Sequence, residues 1–224
     1  MVMKGSAFAG PFLFWGDLVN VETFTAFLIF AAAMVGTPGP ANMVALSAGA
    51  RFGLLACIGL IAGLVAGKVL LNIAMGAGLV AAIREYPAAF MTAKWASAAY
   101  MVWLAWRIAG SSIAMREATR PLTFRDGIIV HPLNPKAWVM TLGAFTQFTD
   151  SDQAWTPQVL MIIAGFAAMQ ILFHTIWCAA GDRIASVVAG TPIERVLMVT
   201  LGVLMLATIV WSTLRGRSQN DMSA

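Results

Sequence analysis

The stretch Gly36-Thr37-Pro38-Gly39-Pro40-Ala41-Asn42 interrupts an apolar run over residues 24–46. A run of that length can cross a bilayer as a helix, which takes about 20 residues, but it cannot be an ordinary helix. Pro38 and Pro40 offer no backbone N–H, and their rings clash with the carbonyls one turn back, so the helix kinks or unwinds there. Freed carbonyls in hydrocarbon are costly unless protein or trapped water satisfies them. The break is therefore either a packed kink or the wall of a polar cavity.

Lipid is the solvent such a chain requires. Of its 224 residues 60% are hydrophobic and 11% charged, against about 25% charged in a soluble domain. A soluble core of this size cannot hide that much apolar surface, so the composition predicts an all-α integral membrane protein with the bilayer as its surroundings. The net charge of +4 does not point to nucleic acid. The cations sit singly at the ends of apolar runs, where positive-inside residues belong. Cys57 and Cys178 lie within apolar runs and read as small buried hydrophobes, with neither metal spacing nor a disulfide framework. No cofactor and no metal is indicated.

Six spans are expected, over residues 24–46, 54–80, 90–109, 127–149, 158–181 and 196–214. Residues 1–22 read as an interfacial leader, because the apolar patch at 8–15 is too short to span and lacks a cleavage site. Residues 23–214 form the membrane domain and 215–224 a polar tail. A link with Arg51 and Gly53 joins the first two spans, and a polar connector over 111–125 carries Arg116, Arg120 and Arg125. Six spans put Lys4, Arg84, Lys94, Arg215 and Arg217 on one side, and Arg51, Arg107, Arg116, Arg120, Arg125, Arg183 and Arg195 on the other. The excess favours termini outside.

The second half reads as a repeat of the first, the alternative being chance similarity between apolar helices that share a small alphabet. The fourth span carries its own break, His131-Pro132-Leu133-Asn134-Pro135-Lys136. In the second and fifth spans, AGLVAGKVLLN and AGFAAMQILFH align almost in phase. Lys68 then falls within a residue of Gln170, and Asn72 within a residue of His174. Each pair is spaced i, i+4 and shares a helix face. Repeats of three spans, about 23–110 and 124–214, are inverted in the membrane, and paired broken helices in inverted repeats are a transporter architecture.

Several polar residues within the spans bear on chemistry. Lys68 lies too deep to snorkel easily and reads as a counter-charge for a substrate carboxylate, a proton donor, or a structural cap on broken-helix carbonyls. His174 is a proton relay or a neutral interhelical hydrogen-bonder. Gln170 and Asn72 bond between helices and line the path. Gly59, Gly63 and Gly67 form a small face that lets another helix approach closely, and that face leaves room for a homodimer. No catalytic elbow, metal cluster or paired carboxylate lies in a span, so the chain is not expected to be an enzyme.

These motifs resemble the lysine exporter / homoserine–threonine exporter superfamily. The resemblance rests on Thr37-Pro38-Gly39-Pro40-Ala41-Asn42, on Asn134-Pro135-Lys136-Ala137, on the Phe124-Arg125-Asp126-Gly127 entry, and on Lys94-Trp95-Ala96-Ser97-Ala98-Ala99-Tyr100. It covers about residues 23–214. It implies an inner-membrane translocator that exports amino acids or related metabolites, driven by the proton gradient. Two departures stand out: members often carry an acidic residue near the place of Gln170 and an asparagine near His131. The first shifts the coupling role to His174 or Lys68.

The resulting expectation is a proton-coupled exporter of a small zwitterionic substrate. Its broken ends at Pro38, Gly39, Pro40 and Asn42 and at Asn134, Pro135 and Lys136 hold the substrate. Helix N-termini and Lys68 or Lys136 face its carboxylate, and freed carbonyls face its ammonium; Lys136 also sits where it can snorkel. Asn72 lines the same site, and His174, Gln170 and Lys68 are the proton-coupling candidates. The competing expectation is a non-transporting membrane subunit or assembly factor, whose polar residues only hold helices together.

Overall fold

The computed structural model describes residues 20–79, 85–112 and 120–221. The expected leader thus falls almost wholly outside the described residues, as do Lys4, Arg84 and Arg116. Among the described residues the chain is helical throughout, with no strand.

The first span is two helices. Helix α1 (Val21–Gly36) is capped by Asn20, whose side chain accepts from the Glu22 N–H at 2.8 Å. Helix α2 (Pro40–Phe52) starts afresh with Pro40 at its first position, where the missing N–H has no partner to lose. The two axes meet at 56°. Arg51, expected in the following link, lies in the last turn of α2, and Gly53 closes that helix at φ 80°. A turn at Leu55–Cys57 leads into α3 (Ile58–Ala74), which ends in a wider π turn over Met75–Leu79.

Helix α4 (Pro87–Ala109) follows, then α5 (Phe124–Ile128), opened by a capping box between Thr123 and Asp126. A six-residue break separates α5 from α6 (Pro135–Gln147), which Asn134 caps and Pro135 begins. Helices α7 (Trp155–Val188) and α8 (Pro192–Asp221) complete the chain. Helix α8 takes in most of the stretch expected as a polar tail. At about 1.5 Å per residue α7 is about 51 Å long, well beyond the roughly 30 Å hydrocarbon layer.

Helices α3 (with its flanking turns), α7 and α8 are each long and apolar enough to cross a membrane, and the bent pair α1–α2 makes a fourth span. The protein is a multi-pass membrane protein. The expected third and fourth spans do not reach that standard as continuous helices. Helix α4 dilutes its apolar run with Thr92, Lys94, Ser97, Tyr100 and Arg107, and α6 is only 13 residues long.

Glycines set the closest approaches. A Cβ on Gly181 of α7 would overlap the Leu46 carbonyl of α2, and one on Gly49 the Cys178 carbonyl, so these two helices touch backbone to backbone. Across α3, Gly63 and Gly67 receive the Phe124 and Ile128 carbonyls of α5 in the same way, with Gly127 answering from the other side. The expected small face is therefore a packing surface. It is filled within the chain, so a homodimer would have to use another face.

The apolar core is in two pieces. One joins α2, the first half of α3, α4, the end of α7 and α8 through residues such as Leu60, Leu64, Met101, Cys178 and Met205. The other joins α1, the end of α3, α6 and the start of α7 through Phe27, Leu71, Met140, Ile162 and Phe166. Phe27 meets Phe166 edge to face, with ring centroids 5.3 Å apart. Between the two pieces, on α3, lies Lys68; on α7, Gln170 and His174. Both helix breaks fall at that same level, so a buried polar layer separates the cores.

A polar layer between two broken helices

Break one satisfies its own carbonyls with side chains. The Thr37 hydroxyl donates to the Met34 carbonyl at 3.0 Å, and the Trp177 indole to that of Gly36 at 3.2 Å. Asn42 donates to the Val35 and Thr37 carbonyls at 2.7 and 2.8 Å. Lys136, reaching over from the second break, donates to the Thr37 carbonyl at 3.0 Å, the Thr37 hydroxyl at 2.8 Å and the Pro38 carbonyl at 3.3 Å. The carbonyls expected to face a substrate's ammonium thus already have protein donors, which is how irregular backbone survives at this depth. Lys136 is buried against the first break, where the alternative was a snorkelling side chain.

The second break is held similarly. The Asn134 side chain accepts from the Lys136 N–H at 3.0 Å, and the Trp138 indole donates to the Pro132 carbonyl at 2.7 Å.

Between the breaks lies a small cavity of about 20 Å³, room for one water molecule, lined by Gly39 and Asn42 from one side, by His131, Asn134 and Lys136 from the other, and by His174. His174 Nδ1 is 2.9 Å from Asn42 Oδ1, and its Nε2 is 3.3 Å from Nε2 of His131. Pro38, Pro40 and Pro135 shape the two breaks and bring no side-chain donor.

Lys68 sits off this cavity. Fully buried, its ammonium donates to the Thr141 hydroxyl, lies 3.4 Å from the Ala137 carbonyl, and stands 4.1 Å over the Phe166 ring. Asn72 Oδ1 lies 3.3 Å from the same hydroxyl. Gln170, also fully buried, has no partner for either amide atom among the described residues. Among those residues, too, no carboxylate pairs with Lys68 or Lys136.

Sequence reasoning missed His131, Thr37, Thr141 and Phe166 as members of this layer. His131 stood in plain view in the second break, and Thr141 was a lone hydroxyl in an apolar run. Nothing in the sequence marks Phe166 among its aromatic neighbours.

Two unlike depressions lie at opposite ends of the bundle. At one end, a depression of about 260 Å³ is lined by Arg51, Arg107 and Arg120 with Ser47 and Ser111. At the other, one of about 150 Å³ carries Asn20, Thr23, Gln147, Asp150 and Gln158. Helix α2 runs from the cavity at Asn42 to the basic end at Arg51.

A multi-pass helical protein with paired helix breaks around a buried polar cavity is built as membrane translocators are. Residues 32–209 match the family described as "LysE type translocator", and the chain belongs to that family, whose members are transporters and not enzymes. It is 27% identical to the homoserine/homoserine lactone efflux protein of Salmonella typhimurium over 195 residues, 84% of this chain and 94% of the relative. It is 28% identical to the cysteine/O-acetylserine efflux protein of Klebsiella pneumoniae over 162 residues, 70% and 81% of the two chains. An uncharacterized membrane protein of Vibrio cholerae is 27% identical over 150 residues, 64% and 73%. No solved structure matches.

Proposed function

We propose that the protein is a secondary transporter that exports amino acids or closely related small metabolites across the cytoplasmic (inner) membrane, in exchange for protons. The observation that supports it most is the pair of buried lysines in the polar layer, which have no carboxylate partner among the described residues. A buried cation without a counter-charge is costly, and a substrate carboxylate entering the layer supplies one. The family supports amino-acid export, and the relatives are named for efflux of homoserine, homoserine lactone, cysteine and O-acetylserine.

In this reading α4 and the broken pair α5–α6 join the other four as spans, making two inverted halves of three. Contacts at the two ends support that alternation. The Leu54 N–H donates to Asp182 and the Ser112 hydroxyl to Glu194 at one end, and the Trp155 indole to the Gly76 carbonyl at the other. Each joins segments that six alternating spans put on the same side. The arginine-lined end faces the cytoplasm, so the substrate enters past Arg51 and reaches the cavity along α2.

Efflux from cells preloaded with labelled homoserine, cysteine and O-acetylserine tests this, with wild type compared to Lys68→Met at matched membrane levels. Wild type is expected to speed loss of at least one of them, and both a protonophore and the substitution to abolish the effect. Loss no faster than from empty-vector cells for a wide panel of amino acids would return the protein to the subunit reading.

A further inference from the structure

The chain has two histidines, and they are in contact in the cavity wall, where their hydrogen-bond partners assign a tautomer to each neutral ring. Asn42 Nδ2 faces two carbonyls, which only accept, so its amide can be oriented one way alone. Asn42 Oδ1 is then an acceptor, and His174 Nδ1 at 2.9 Å carries a hydrogen. In a neutral imidazole the other nitrogen is bare. His174 Nε2 therefore accepts, and His131 Nε2, 3.3 Å away, donates. His131 Nδ1 is left bare, and it is buried with no partner among the described residues.

We propose that His131 Nδ1 is the acceptor for which a proton and the substrate's ammonium group compete. This rests on the exporter reading and adds the site of exchange. The carbonyls of the first break are taken by Asn42, Thr37, Trp177 and Lys136. A primary ammonium entering the cavity needs an acceptor, and the His131 lone pair is open. A proton arriving from water forms an N–H bond at the same nitrogen and makes an imidazolium, whose Nε2–H still donates to His174, so uptake breaks no existing bond. The loaded imidazolium then has no lone pair for the ammonium and repels it. Substrate and proton are mutually exclusive at one atom, and mutual exclusion is what makes an exchanger of the two. The charged and titratable groups facing His131 are His174 from α7, Lys68 from α3 and Lys136 from α6; all are basic, so the second ligand is never neutralised by a protein carboxylate.

Two measurements on the purified full-length protein test it. With ¹⁵N-histidine labelling and no substrate, the two side chains are resolved without ambiguity. His174 is expected as the Nδ1–H tautomer and His131 as Nε2–H, with the first proton taken up on acidification appearing at His131 Nδ1. A His131 with its hydrogen on Nδ1 at high pH, or a first proton at His174, would overturn the proposal whether or not a substrate is known. In the second, homoserine or cysteine is added to weakly buffered protein containing a pH dye. Below the pH at which the pair titrates, binding is expected to release close to one proton and to weaken about tenfold per pH unit. His131→Gln keeps an amide donor toward His174 but takes up no proton, so its binding is expected to release none and to be flat with pH. Binding by wild type without proton release would overturn the competition. Absence of binding at any pH with the expected tautomers in place would count against the exporter reading instead.

Discussion

The Lys136 ammonium, on the second broken helix, lies 3.0 Å from the carbonyl oxygen of Thr37 and 2.8 Å from its hydroxyl on the first. One side chain thus joins the two breaks, and it does so with the charge that a substrate's ammonium would bring. It acts as a latch between the halves.

Lys136→Met is expected to leave the Pro38 carbonyl without a donor and the Thr37 carbonyl with Asn42 alone. An unsatisfied buried acceptor costs roughly 1–3 kcal/mol, so the melting temperature of the detergent-purified protein should fall by several degrees. An unchanged melt would mean that the latch is open in the resting protein.

Neighbouring glycines on α3 are expected to differ sharply. At Gly59 an added methyl meets the Phe124 nitrogen at 3.6 Å, an ordinary contact; at Gly63 it overlaps the Phe124 carbonyl. Gly59→Ala should change stability by less than about 0.5 kcal/mol, and Gly63→Ala should lower it by roughly 1–3 kcal/mol as α5 is forced outward. Comparable melts for the two variants would contradict the close α3–α5 packing.

Gln170 carries a fully buried amide with neither atom paired among the described residues. Gln170→Leu removes that desolvated group at similar volume and is expected to stabilise the fold by about 1 kcal/mol while slowing efflux severalfold. Function and stability then move in opposite directions, as expected where a polar group is held for its task. A destabilised variant would show that the amide is structural.

Much of this was legible in the residues. Proline rules placed both breaks, and the spacing of Lys68 to Asn72 and of Gln170 to His174 put a polar face on each of two helices. The glycines of α3 read correctly as a packing surface because their four-residue spacing has little other use in lipid. What periodicity could not supply was partnership across the chain. It did not show that Lys136 reaches Thr37, that Thr141 lies under Lys68, or that His131 touches His174. Those pairings are set by how the broken ends cross, and sequence spacing within one helix carries no record of it. The third expected span is a continuous helix, α4, whose polar residues dilute its apolar run, and the fourth is broken as its prolines predicted, which leaves α6 only 13 residues long.

Counterflow into liposomes tests the central claim most directly, because purified protein is the only protein present. Vesicles holding wild-type protein and loaded with unlabelled homoserine, cysteine or O-acetylserine are placed in a trace of the same labelled compound. Transient uptake of label above that of protein-free vesicles is expected for at least one compound, and is expected to vanish in Lys68→Met vesicles whose protein melts as wild type does. Equal uptake by wild type and Lys68→Met would remove the buried lysine from the transport site. No uptake by wild type across a broad set of small amino compounds would contradict the exporter itself.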